Sequence, residues 1–235
     1  MQIAYMQKFT LVDFPGKSAA VIWTVGCNLR CPFCYNGELV LPERMEGLPR
    51  VEPEEVLEVL AARKGFLDGL AITGGEPTLH ADLPDFLREV KALGMAVKLD
   101  TNGTLPDRLA PLLSQGLVDY VAMDVKAPWD RYPEFTGIPE NLSDAVKESI
   151  SLLSSSGVDY ELRTTCVPGI GPEEVRAIAE SLRGAKRYVL QPFFLPPQGK
   201  ELIDPSWKER PFLSQTEVKR LAQEISRIVP CSART

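Results

Sequence analysis

Six short β-rich runs, each followed by a stretch of helical periodicity or an irregular connection leading to one, limit what this 235-residue chain can fold into. Residues 20–25, 70–73, 95–99, 120–123, 160–166 and 187–191 read as strands. Residues 53–64, 81–93, 105–115, 142–154, 172–183 and 215–228 read as amphipathic helices. Strands that alternate with helices imply a parallel sheet, because parallel neighbours need a crossover between them. Right-handed crossovers wind steadily in one direction, so six units can curl into an open partial barrel or lie flat in a doubly wound sheet. The pattern alone leaves both open. One domain is expected over 1–235, with a Pro-rich loop over 193–211 and a C-terminal helix and tail over 212–235.

Bulk properties narrow the class of function. With 44% hydrophobic and 25% charged residues the composition is that of an ordinary globule, and no apolar stretch approaches the roughly 20 residues that span a membrane. The net charge of −6 disfavours a general nucleic-acid surface, which would be basic or carry a Lys/Arg stripe. No signal peptide is apparent, so a cytoplasmic location is expected.

Cys27, Cys31 and Cys34 follow the first expected strand within eight residues. Three thiols on so tight a loop cannot pair off evenly as disulfides, and they offer three thiolates to one centre while leaving a coordination position free. Zinc completed by a distant ligand, Cys166, Cys231 or the single histidine His80, is the competing reading. His80 reads as a surface loop residue, Cys166 as a buried core thiol and Cys231 as incidental to the tail. With one histidine and no Ser-His-Asp grouping, hydrolytic triad chemistry has little support.

Working residues of parallel α/β folds gather at the carboxyl ends of strands, and the polar residues here recur there. After the second strand come Gly74, Gly75 and Glu76, where the glycines let backbone approach a ligand and the carboxylate can accept from an ammonium group. Asp100, Thr101 and Asn102 end the third strand; Asp124 and Lys126 follow the fourth. Arg163 lies on the fifth and Gln191 ends the sixth. Asp100 and Asp124 could bind a cation together or hold Lys126 and Arg163, and helix capping with a structural ion pair is the plain alternative.

The Cys27-x3-Cys31-x2-Cys34 run after one strand, joined to Gly74-Gly75-Glu76 after the next, resembles the radical S-adenosylmethionine (SAM) enzymes. The resemblance implies a partial (β/α)6 barrel of parallel strands with outer helices. It implies that the three cysteines hold a [4Fe-4S] cluster whose fourth iron is chelated by SAM, which is cleaved reductively to a 5′-deoxyadenosyl radical. Gly74, Gly75 and Glu76 would then receive the methionyl ammonium, and the backbone at Tyr35 would touch the adenine.

A longer match, through Asp13-Phe-Pro-Gly16, Cys34-Tyr35-Asn36, Asp100-Thr-Asn-Gly103, Asp124-Val-Lys126 and Arg163 to Gly169, is similar to the activating enzymes of glycyl radical enzymes. That likeness implies a glycyl radical enzyme such as anaerobic ribonucleotide reductase as protein substrate and flavodoxin or ferredoxin as electron donor. It assigns Asn102, Lys126, Arg163 and Gln191 to SAM, and Asp13, Asp100, Thr101 and Asp124 to a Na+ or K+ site beside the SAM carboxylate. The histidine that some activators carry after the sixth strand is replaced by Phe193-Phe194, and Tyr35 stands where many have histidine. A radical SAM enzyme acting on a small molecule or RNA, and a metal-binding interaction module without turnover, are the alternatives.

Overall fold

A computed structural model describes residues 1–234. Its centre is one eight-stranded sheet in sequence order, β1 (Ile3–Thr10), β2 (Ala19–Thr24), β3 (Gly69–Gly74), β4 (Ala96–Thr101), β5 (Tyr120–Asp124), β6 (Asp159–Cys166), β7 (Tyr188–Pro192) and β8 (Cys231–Ala233). β1 runs antiparallel to β2, and every later pair is parallel. β1 and β8 are not paired with each other, so the curled sheet is an open barrel. The six expected strands are β2 to β7, flanked by two more.

The helices are α1 (Gly37–Val40), α2 (Pro53–Ala62), α3 (Leu83–Ala92), α4 (Pro106–Ser114), α5 (Tyr132–Thr136), α6 (Ser143–Ser156), α7 (Pro172–Ser181) and α8 (Gln215–Ile225). All six expected helices are present; α1 and α5 are single short turns of the connections. Alternation along each strand divides the sheet into two faces. Leu70, Ile72, Val97, Leu99, Val121 and Leu162 join Leu60, Leu87, Leu109 and Ile178 of the helices in one apolar core. The intervening positions, including Lys98, Asp100, Asp124, Glu161 and Arg163, therefore face the lumen, and several are charged.

Phe14 closes the amino end of the lumen by packing on Ala19, Tyr120 and Ala122. Gly69 makes room for this closure, since a Cβ there would lie 2.4 Å from the Ala96 carbonyl oxygen and 3.1 Å from the Phe14 ring. The opposite end, formed by the carboxyl ends of the parallel strands, stays open to a cavity. Among the described residues, no helix is long and apolar enough to cross a membrane.

Candidate active site

The loop bearing the cysteines leaves β2 through Gly26, whose φ of +98° disfavours a side chain. Four other parts of the chain hold it. Gly26 donates to the Leu39 carbonyl at 2.7 Å, and its own carbonyl accepts from Glu76 N at 2.7 Å. Arg30 N donates to the Thr136 carbonyl, where Gly137 must lack a side chain because its Cβ would sit 2.0 Å from Arg30 O. Ile203 and Asp204, in the Pro-rich loop, donate to the carbonyls of Cys34 and Pro32, each at 2.9 Å. Phe33 packs beside Phe135 and Trp207, with ring centroids 6.5 and 5.8 Å away. The Pro-rich stretch is thus docked against the cysteine loop.

Cys27, Cys31 and Cys34 are free thiols that line one cavity of about 430 Å³. Burial pushes the Cys27 thiol up to about 11 and the Cys31 thiol up to about 12. Thiols so placed hold their protons until a metal replaces them. Cys166, Cys231 and His80 are not part of the cavity wall, so the distant ligands that a closed zinc site would require do not reach it. Cys166 is a fully buried core thiol, as expected, whereas Cys231 belongs to β8 and His80 is half-buried. Three soft thiolate donors on one wall, with an open space facing them, fit an iron-sulfur cluster that keeps one iron free for a ligand.

The same cavity is lined by Tyr35, Gly74, Gly75, Glu76, Asp100, Thr101, Asn102, Asp124, Lys126, Arg163 and Gln191. The sequence-derived residues therefore converge, with Asp13 the exception. The β1–β2 and β2–β3 registers place Thr10 beside Ala19 and Ala19 level with Gly69, which lies beside Ala96. Asp13 follows Thr10, so it sits at the amino end of the barrel, about 13 Å along the strands from the level of Asp100. There it accepts from the Thr10 hydroxyl at 2.6 Å. It does not join the other three residues of the expected cation site.

Those three have partners of their own. Arg163 donates through Nη1 to Asp100 at 3.2 Å and through Nε to Asp124 at 2.8 Å. Lys126 donates to Asp124 at 2.8 Å, and Lys98 is ion-paired with Asp100. Burial opposes ionisation of both aspartates, but the Arg163 charge, with Lys98 at Asp100 and Lys126 at Asp124, more than offsets it and holds both carboxyls below the usual range. The Thr101 hydroxyl donates to Glu76 at 2.8 Å. With both carboxylates neutralised by the chain's own cations, this layer carries three positive and two negative groups rather than an acidic cation nest.

Glu76 is almost fully buried, and its carboxylate accepts from Thr78 N, Thr78 Oγ1, Thr101 Oγ1 and Asn102 N at 2.6–3.1 Å. Three of these bonds fall on Oε1 and one, from Asn102 N, on Oε2, which keeps an acceptor position. Its side chain ties the ends of β3 and β4 together, and Glu76 lines the cavity beside Gly74 and Gly75. The two glycines are required by packing: a Cβ on Gly74 would lie 2.3 Å from Thr24 N, and one on Gly75 would lie 1.9 Å from Gly26 O. Gly75→Ala should consequently cost about 1–3 kcal/mol and lower the Tm of the metal-free protein by about 3–10 °C. A melting curve that superimposes on wild type would show that this turn yields freely.

Asn102 connects the β4 end to the cysteine loop. Its amide donates to Asn28 Oδ1 at 2.9 Å and lies 4.0 Å from Cys27 Sγ, while Asn28 donates to Thr104 Oγ1 at 2.7 Å. Asn28 and Thr104 carry no sequence signal beyond their nearness to a motif.

The arrangement is that of a radical SAM enzyme. The family model of the radical SAM superfamily matches residues 21–182, and the chain belongs to that superfamily, which implies a [4Fe-4S] cluster and SAM. The chain is 35% identical over 217 residues, 90% of its length and 86% of the relative's, to a candidate glycyl-radical enzyme activating enzyme of Methanocaldococcus jannaschii. It is 30% identical to a 7-carboxy-7-deazaguanine synthase of Methanopyrus kandleri, covering 78% of this chain and 75% of that one. In fold it matches Streptococcus suis SuiB bound to S-adenosylmethionine, with a TM-score of 0.65 at 14% identity over 92% of this chain and 52% of that one.

Proposed function

We propose that the protein is a glycyl-radical-enzyme activating enzyme, which uses SAM to remove a hydrogen atom from a glycine of a partner protein. The observation that carries this reading is the 35% identity with the Methanocaldococcus jannaschii relative along 90% of the chain. When bound, the cluster and SAM supply one-electron reductive cleavage of the sulfonium. The chain's residues bind, orient and shield. Cys27, Cys31 and Cys34, which line the cavity, would hold the iron; Gly74, Gly75 and Glu76 would receive the methionyl ammonium, and Lys126 and Arg163 its carboxylate. Tyr35, Asn102 and Gln191 line the same cavity and would contact the rest of SAM. The partner is a glycyl radical enzyme such as anaerobic ribonucleotide reductase, the electron donor is flavodoxin or ferredoxin, and the reaction takes place in the cytoplasm.

A radical SAM enzyme with a small-molecule substrate is the second reading, favoured by the 30% identity with the deazaguanine synthase. Anaerobic electron paramagnetic resonance of the reduced, reconstituted protein with SAM and the same organism's anaerobic ribonucleotide reductase separates the two. A glycyl doublet that grows with 5′-deoxyadenosine is the expected result. 5′-Deoxyadenosine without a doublet would retain the superfamily chemistry and overturn the activase reading.

A further inference from the structure

The lumen holds a second charged layer that the cofactor residues do not use. Glu161, on β6, is almost fully buried and accepts from Tyr120 Oη at 2.9 Å and from Arg234 Nη2 at 2.7 Å. Tyr120 in turn accepts from Arg187 Nη1 at 2.8 Å. Two guanidinium groups thus share one carboxylate, directly and through a phenol whose proton is held by burial and the adjacent carboxylate, which push it up to about 12. Among the described residues the layer keeps one uncompensated positive charge.

Arg234 is the member of this layer that reaches the cavity wall. It stands directly after β8, and its backbone N–H is fixed to the Leu190 carbonyl at 2.9 Å. A guanidinium group has five N–H donors, and the Glu161 bond uses one of them. If Arg234 served only to clip the last strand, its head would be enclosed around Glu161. Instead 38% of the side chain remains exposed, whereas Glu161 is 3% exposed. Gln191 of β7, the strand beside β8, and Phe193 and Phe194 directly after it line the same cavity, as do the cysteines, Gly75 and Lys126. β8 is also the last strand before the gap that separates it from β1, the side on which no helix crossover closes the barrel.

We propose that Arg234 is the residue that anchors the protein substrate, the N–H groups left over from the Glu161 bond donating to main-chain carbonyl oxygens of the extended segment that carries the target glycine. Resting on the activase reading, this assigns β8 the task of presenting a multi-donor cation to the cavity that Phe194 also lines, while Glu161 holds one of its N–H groups. A fork of charged donors suits carbonyl oxygens spaced along an extended chain better than a single ammonium does.

The test compares reconstituted wild-type, Arg234→Ala and Arg234→Lys proteins with the same organism's anaerobic ribonucleotide reductase. Iron content, SAM binding by calorimetry and partner-free formation of 5′-deoxyadenosine are measured alongside the glycyl doublet. In Arg234→Ala the partner concentration for half-maximal doublet should rise about tenfold or more, with a near-normal maximum and unchanged SAM binding. Arg234→Lys keeps the charge and the Glu161 pair, should load iron even if the alanine variant does not, and should show a smaller rise. Loss of SAM binding in the lysine variant, or unchanged partner dependence in either variant that loads iron, would overturn the assignment while leaving the activase reading in place. Absence of the doublet in wild type would overturn both.

Discussion

Cys31→Ala is expected to abolish reductive SAM cleavage, leaving 5′-deoxyadenosine at the level of a reaction without enzyme. Cys31 is the most buried of the three cysteines, at 8% exposure, and lies between the other two on the loop. The remaining thiols of the chain cannot replace it, because Cys166 is enclosed in the apolar core and Cys231 belongs to β8, and neither lines the cavity. Two thiolates would have to retain a cluster already short of one protein ligand. Iron per chain and the reduced-cluster resonance should fall with activity, whereas Cys166→Ser should keep both. Normal turnover by the Cys31 variant would remove the cluster from this site.

The asymmetry between the two cysteine variants was legible from spacing, because three thiols separated by three and two residues on one loop can be offered to one cavity, which Cys27, Cys31 and Cys34 line and Cys166 does not. The six parallel strands were legible for a related reason: each is a short apolar run bounded by turns and followed, in time, by a helix with a periodic face. β1 and β8 escaped that logic. In Ile3–Thr10 exposed and half-exposed residues are mixed without strict alternation, and Cys231–Ala233 is three residues long. The omission of β1 explains the misplacement of Asp13. An antiparallel strand before β2 sends the intervening loop to the amino end of the barrel, far from the other carboxylates. The omission of β8 likewise left the cavity-facing Arg234 in an apparent tail.

Glu76 and Gly137 show a different limit. A carboxylate beside two glycines reads as a ligand for an ammonium group. That the same carboxylate also joins the ends of β3 and β4, through Thr78, Thr101 and Asn102, emerges only after folding. Gly137 is needed only because the Arg30 carbonyl comes to lie against it from more than a hundred residues away. Local pattern identifies residue types suited to a site, and tertiary approach determines which atoms are still free to act there.

Arg163→Ala should destabilise the protein by about 3–5 kcal/mol, a cost set by what the substitution leaves behind. Arg163 is 9% exposed along its side chain and is the one group that bridges Asp100 and Asp124. Without it two carboxylates on adjacent strands face each other across a half-dry lumen, each with a single lysine partner. Replacing the whole set, as Lys98→Met, Asp100→Asn, Asp124→Asn, Lys126→Met and Arg163→Met together, should cost less than the single change, because no unpaired charge remains.

The pH dependence gives an independent check. In wild type both carboxyls are held below their ordinary value, so the stability they contribute is fully present above roughly pH 4 and is lost as the pH falls through the depressed values. In the alanine variant burial acts with less opposition and moves both carboxyls upward, so protonation on acidification relieves the variant while the wild-type carboxyls stay ionised down to about pH 4. The difference in unfolding free energy should therefore narrow between pH 7 and pH 4, as measured by anaerobic urea denaturation of the metal-free proteins. A difference below about 1 kcal/mol at pH 7, or one that does not change with pH, would mean that water and the two lysines already satisfy the aspartates.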